Sequence, residues 1–371
     1  MQTRLQLFHA WTRQLQSMLP GMRITRVRNL ALLSLGLIWA ECVTLSRIAA
    51  VLPCTVNDLS TETRLQRWIA NHCVPVAATW RTLAQALLTP LGQREVLLVF
   101  DPTPHTRHWT LLMLGVAMRG RVLPLAWHLV PATSPWQHDT WTYLARLCRR
   151  VADMLPAGTT VTLVLDRGLV SAAVLDLCRE LGWHYVIRLS VDARQGLHVR
   201  LADGRVVPAW SLVSGPGCRW SGQVETFQAQ GWRTAWLTIT WSRRYEEPWL
   251  LLSDRPAGPE RVREYRRRTT VEACYQDCKR RGWDLEASRI RDRNRLNRLL
   301  LALVLALWWS YLLGASVIRN GLRRRFDRPN RRDRSVMRLG RRWMQHCLAR
   351  DHLPALLFRY QNGVWSCRWT F

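Results

Sequence analysis

Tyr265–Lys279 reads YRRRTTVEACYQDCK, and its polar residues keep a helical spacing. Successive residues of an α-helix turn by about 100°, so Tyr265, Arg268, Glu272 and Lys279 fall within an arc of roughly 60°. The spacing predicts one helix carrying a carboxylate, two cations and an aromatic hydroxyl on one face. The plain reading of a Glu among Arg residues is a surface ion pair. The alternative is a face that holds a metal ion beside a phosphate, and that alternative needs further acids from elsewhere in the chain.

Two stretches supply them. EVLLVFD (95–101) is a continuous apolar run closed by Asp101 and then Pro102. TTVTLVLDRG (159–168) repeats the pattern and closes on Asp166, followed at once by Gly168. Unbroken apolar runs of this length mark buried strands, and their terminal acids emerge at a sheet edge. Taken singly, an Asp at a strand end is an ordinary turn or capping residue. Taken with Glu272, the two make a three-carboxylate cluster, provided the strands are neighbours. Carboxylate oxygens suit Mg²⁺ or Mn²⁺, which keep waters and bind substrate phosphates. A pair of such ions stabilises the attacking and leaving oxygens of a phosphoryl transfer.

The composition agrees with a phosphate partner. In 371 residues there are 54 Lys and Arg against 26 Asp and Glu, a net charge of +28. Nearly all the cations are Arg, whose planar fork fits phosphate oxygens. Nucleic acid is therefore the first partner to consider and an anionic membrane surface the second. At 48% apolar residues the chain is globular rather than disordered, and long enough for two or three domains. Its ten cysteines follow no repeating frame and no signal peptide precedes them, so they read as reduced cytosolic thiols. Cys274 and Cys278 lie one helical turn apart, but without a second pair they read as packed thiols. Leu299–Ile318 is uncharged over twenty residues, long enough to span a membrane. Arg298 and Arg319 flank it symmetrically, and it continues a helix running from Arg289, so it reads as the centre of a buried core.

The remaining chain reads as follows. Residues 1–94 are helical, with an Arg-rich start at 22–41, a short helix over 44–53 ended by Pro53, and a helix over 60–73 begun at Ser60 or Thr61. Short helices with exposed Arg suit a DNA-binding helical domain, though no recognition helix stands out. Residues 109–118 and 121–130 form a hairpin about Arg119-Gly120, and a helix follows over 136–155. A helix over 169–181 stops at Gly182 and a strand follows over 183–189. Together with the two acid-ended runs this predicts a mixed sheet with helices packed on it, over 95–190. Residues 191–250, rich in Gly, Trp and Thr with a turn at Asp203-Gly204, read as an all-β insertion. Residues 249–254 form a last strand, and helices fill the remainder of 251–320. The segment 321–371 opens on GLRRRFDRPNRRDR, solvated or on phosphate, before an amphipathic helix at 335–349. His105 and His108 read as exposed loop residues.

The spacing Tyr265-x2-Arg268-x3-Glu272-x6-Lys279 resembles the signature of DDE-type transposases of bacterial insertion sequences, specifically insertion sequence family four. Asp101 after EVLLVF and Asp166-Arg167-Gly168 look like that family's other two motifs, and WDLEASRIRDRNRLNRLLLALVLAL (283–307) resembles its C-terminal part. The resemblance spans about residues 25–350. It implies a ribonuclease-H-like catalytic core with a mixed sheet, interrupted by a β-rich insertion and preceded by an N-terminal helical domain. It implies that Asp101, Asp166 and Glu272 bind two Mg²⁺ or Mn²⁺ ions. It implies that Tyr265, Arg268 and Lys279 hold phosphates of the transposon end. The implied reaction is cut-and-paste: nicking, hairpin formation, hairpin opening and insertion into target DNA. The implied partners are double-stranded DNA and a second copy of the chain in a DNA-bound synapse, in the bacterial cytoplasm with the nucleoid and not in a membrane. Trp236, Trp241 and Trp249 are the candidates for stacking a flipped base. Pro102-Thr103-Pro104-His105 departs from the acidic turn the family leads one to expect after the first Asp. A purely hydrolytic ribonuclease-H-fold nuclease, a resolvase or restriction-type enzyme, would use the same acids without the phosphate-holding face. A non-catalytic DNA-binding regulator derived from a transposase would need neither.

Overall fold

The segment before the first strand is helical: α1 (Gln2–Met18), α2 (Ile24–Ala40), α3 (Leu45–Val51), α4 (Asp58–Ala70) and α5 (Val76–Leu88). The fold is that of a computed structural model, which describes residues 2–118, 120–133, 136–192, 196–278, 282–328 and 332–367. The start of α4 differs from expectation. Asn57 is the cap, its side chain accepting a hydrogen bond from the Ser60 N–H at 2.8 Å, so Ser60 and Thr61 lie inside the first turn.

The next stretch builds a sheet. β1 (Glu95–His105), β2 (Trp109–Met118) and β3 (Arg121–Pro131) form an antiparallel meander. Gly120 takes the left-handed conformation, φ 73°, in the tight turn between β2 and β3. α6 (Thr140–Ala152), β4 (Thr160–Leu165), α7 (Ala172–Leu181) and β5 (His184–Arg188) follow. β4 pairs parallel to β1 and to β5. These strands bury both faces, and so their residues run apolar without alternation. β6 (His198–Arg200), β7 (Val206–Pro208), β8 (Arg219–Thr226), β9 (Arg233–Thr240) and β10 (Trp249–Ser253) complete one ten-stranded sheet, in the order β3-β2-β1-β4-β5-β10-β9-β8-β6-β7. The segment expected as an all-β insertion thus supplies β6–β9, which hydrogen-bond outward from β10 as a continuation of the same sheet.

β1 also runs on past Asp101, where the sequence suggested its end. Its parallel pairing with β4 stops at Val99–Val164, while its pairing with β2 continues to His105–Trp109. Pro102 and Pro104, which have no N–H to give, are tolerated there because one edge of β1 is no longer paired. His105, expected in an exposed loop, is consequently strand-bound and buried.

The last third returns to helices: α8 (Pro259–Arg268), α9 (Thr270–Cys278), α10 (Arg293–Arg319) and α11 (Val336–Leu348). A hairpin of β11 (Phe358–Gln361) and β12 (Val364–Cys367) closes the described chain. It was not anticipated, although Asn362-Gly363, both at positive φ, is the strongest short hairpin signal.

By its contacts the chain divides into two units. One comprises residues 93–153 and 157–274, holding the sheet, α6, α7, α8 and the start of α9. The other comprises residues 1–92, 154–156 and 275–371. In the second unit α10 is long and apolar enough to cross a membrane by length and composition. It lies buried against α2, α4, α5 and α11. Arg298 is buried with it, and its side chain donates to the Ile69 carbonyl. α10 and α11 cross closely: a Cβ on Gly340 would sit 1.8 Å from the Ser310 carbonyl oxygen, and one on Gly314 would sit 1.9 Å from that of Val336.

Candidate active site

Asp101 and Asp166 reach the same place because β1 and β4 are adjacent and parallel. Val99 aligns with Val164, so Asp101 and Asp166 each follow their strand's aligned valine by two residues and emerge together at the carboxyl edge. α8 packs over β4, β5 and β10 and lowers two side chains onto the acids. Arg268 places Nη2 at 2.7 Å from Asp101 Oδ1 and 3.1 Å from Asp166 Oδ2, so one guanidinium joins both carboxylates. The Tyr265 hydroxyl donates to Asp166 Oδ1 at 2.8 Å. The cluster is half-enclosed: Asp101 is 16% exposed, Asp166 30% and Arg268 14%.

The two acids differ electrostatically. Burial pushes the Asp101 carboxyl up to about 6, against the pull of Arg268 and with help from the charges of Asp166 and Glu272. Asp166 is also opposed by burial. Arg268, the Arg167 N–H, the Tyr265 hydroxyl and Arg188 outweigh it and hold Asp166 below the usual carboxylate value. The Tyr265 hydroxyl itself is held protonated, by burial and by the neighbouring Asp166.

Glu272 stands apart from this pair. The predicted single helix is broken at Thr269, so Tyr265 and Arg268 belong to α8 and Glu272 to α9. Thr269 Oγ1 and Thr270 Oγ1 bond back to the carbonyls of Arg266 and Arg267, at 2.9 and 2.7 Å. Such back-bonding lets a helix bend or restart. Glu272 is exposed in the first turn of α9, near enough for its charge to act on Asp101. Among the described residues no three His, Cys, Asp or Glu close into a group able to hold a metal ion. Lys279 lies outside the described residues, as does the side chain of Cys278.

Several residues at the site escaped the sequence reading. Glu247 accepts from Arg167 at 3.0 Å and from Arg188 at 3.3 Å, gathering two cations next to Asp166. Arg188 ends β5, the strand beside β4. The strand-end rule that selects Asp101 and Asp166 also points to it. Of the three Trp candidates, Trp249 stands edge-on to Tyr265 with ring centres 5.1 Å apart. Tyr245 stacks on the same Trp249, with ring centres 5.9 Å apart. Trp241 donates instead to the Tyr245 carbonyl at 3.1 Å, and Trp236 lies mid-strand in β9.

The carboxylate pair is chemically suited to a divalent cation. Two hard oxygen donors from separate strands already share one cationic partner, the Arg268 guanidinium.

A family model described as "Transposase DDE domain" matches residues 100–309, which takes in both acids, α8 and Glu272. No curated protein matches the chain. Among solved structures the chain is similar to a piggyBac transposase synaptic complex with hairpin DNA, determined by cryo-electron microscopy. The identity is 11% and the TM-score 0.43, over 90% of this chain and 74% of that one.

Proposed function

We propose, from the premise that this chain belongs to the transposase DDE domain family, that it is the DNA transposase of an insertion sequence, of the family-four type. It cuts double-stranded DNA at transposon ends and joins those ends to target DNA, through hairpin ends, working as a homodimer on the paired ends. The observation that carries this reading is the convergence of Asp101 and Asp166 under one guanidinium from α8. The strand order β3-β2-β1-β4-β5, with acids on adjacent parallel strands, supports a ribonuclease-H-like core.

In this reading Asp101 and Asp166 would hold two Mg²⁺ or Mn²⁺ ions, with Glu272 as the third carboxylate. Bound there, such ions activate water or a 3′-hydroxyl and offset charge on the leaving oxygen. The protein's own contribution is positional. Tyr265 fixes the rotation of the Asp166 carboxylate. Arg268 neutralises the acid pair while no cation is bound, and once a cation takes its place between the acids it is free to turn to the phosphodiester. Arg167 and Arg188, gathered by Glu247, present further positive charge to the scissile strand. Lys279 serves the flanking phosphate.

Asp101→Asn, Asp166→Asn and Glu272→Gln should each reduce Mg²⁺-dependent cutting of a plasmid carrying the element's ends to background, while the protein still retards the DNA in a gel. Cutting at the wild-type rate by any one of them removes that residue from the set. The same gel decides between activities, because a hydrolytic nuclease gives cut ends and no joined product.

A further inference from the structure

The helical unit carries a second basic concavity, remote in sequence from the acids. The start of α2 and the length of α4 enclose a cleft of about 360 Å³. Arg23, just before α2, and Arg26 in α2 line it together with Arg64 and Arg67 from α4, with Asn29 and Asn71 as neutral hydrogen-bonding groups. No acid lines it. Four like charges around one hollow repel one another, and a fold that only needed these helices packed would place acids between them. Elsewhere the chain does so: Arg149 meets Glu180, Arg233 meets Asp176, and Arg255 meets Glu95 and Glu264. Among the described residues none of the four cleft arginines has an ion-pair partner.

The wall is set by specific bonds. The Trp68 indole N–H donates to the Arg26 carbonyl at 3.0 Å and locks α4 to α2 at the floor. Arg64 Nε donates to Asn29 Oδ1 at 2.6 Å, which orients that guanidinium and leaves its terminal nitrogens for another acceptor. Arg23, Arg64 and Arg67 are exposed and Arg26 half-buried, so the cations are available to a ligand at the surface.

We propose that this cleft seats consecutive phosphates of a double-stranded DNA backbone, a binding site separate from the catalytic acids. The inference rests on the transposase reading for its choice of DNA, but it concerns affinity and not chemistry. A ligand of this kind answers each feature. It brings several negative charges to several unpaired cations, and contacts made only to phosphate need no base-reading helix in a groove. That also accounts for the lack of an identifiable recognition helix in residues 1–94.

The test measures binding of the full-length protein to a short duplex of arbitrary sequence by fluorescence anisotropy over a range of salt. Each phosphate neutralised contributes about 0.9 to the slope of log K against log salt. The double variant Arg64→Gln/Arg67→Gln should lower that slope by roughly two phosphates' worth. The control Arg13→Gln/Arg47→Gln removes the same charge from exposed positions outside the cleft and should lower it much less. A matched melting curve for both variants verifies folding. Equal slopes for the two variants, or no change in either, would overturn the proposal, since binding would then follow net charge or another surface. Loss of slope in the cleft variant alone supports it even if the Asp101 and Asp166 variants still cut DNA, an outcome that would sink the functional reading and leave the cleft standing.

Discussion

Asp101 is where burial and charge oppose each other most clearly. Its carboxyl titrates at about 6 in the folded chain against 3.8 for a free Asp. The unfolded chain therefore releases this proton first as pH rises, and folding loses stability between about pH 4 and 6. A tenfold difference in proton affinity is worth about 1.4 kcal/mol, so carrying this charge at neutral pH costs on the order of 2–3 kcal/mol. Asp101→Asn should accordingly melt higher than the wild type at neutral pH, with the difference vanishing near pH 4. A melting point equal to or below wild type at neutral pH would mean that Arg268 already compensates the buried charge. A second expectation concerns Arg268, which competes with any cation for both acids. Arg268→Gln should bind Mn²⁺ roughly tenfold more tightly without DNA, about 1.4 kcal/mol, as read by titration calorimetry at about pH 8. Weaker binding would instead make Arg268 a support that shapes the pair. That Asp101 and Asp166 would lie close together was legible because an acid closing a buried apolar run is a local signal, even though β1 itself runs on to His105. The partnership of Tyr265 and Arg268 with those acids was not. Spacing places them on one helix face but says nothing of what the face meets.

Helix boundaries follow the same division between local and distant causes. The break at Thr269 was missed because no Gly or Pro marks it and the helical spacing runs through it unbroken. Its physical signal is the Thr269-Thr270 pair, whose hydroxyls bond back to the preceding turn. β1 outran its predicted end because a strand lasts as long as one neighbour still pairs with it, and β2 lies later in the sequence. The crossing of α10 and α11 is another distant cause. Gly314 and Gly340 look like helix-weakening residues from sequence, yet each faces a carbonyl of the opposite helix. Gly340→Ala should gain up to about 1 kcal/mol of helix propensity and lose more, roughly 1–3 kcal/mol, to forced separation of the helices. The net result should be a lower melting temperature. A rise would show that the helices part without cost.

At the scale of the whole chain, the two units are not consecutive segments. Residues 1–92 and 275–371 fold together, and the sheet unit lies between them in sequence. Composition and period read a chain from left to right and carry no sign that its two ends share a core. That is why the helical start and the helical end read as separate domains. Yet one clue was present: the uncharged run 299–318 needs more cover than the amphipathic helix α11 alone can give, and α2 and α5 are apolar enough to complete it. The consequence is an asymmetry in how the chain can be cut. A fragment spanning Gln93–Cys274 keeps every strand of the ten-stranded sheet, with α6, α7 and α8 packed on it. It should unfold cooperatively on heating, with a β-rich circular dichroism spectrum. A chain beginning at Gln93 and running to the end keeps α10 and α11 but loses α2, α4 and α5, which cover the rest of α10. The long apolar face so exposed should drive it into aggregates or detergent micelles. If that longer chain stays monomeric in plain buffer while the shorter one fails to fold, α10 would have to draw its cover from the sheet-bearing half of the chain, and the assignment of both ends to one core would fall.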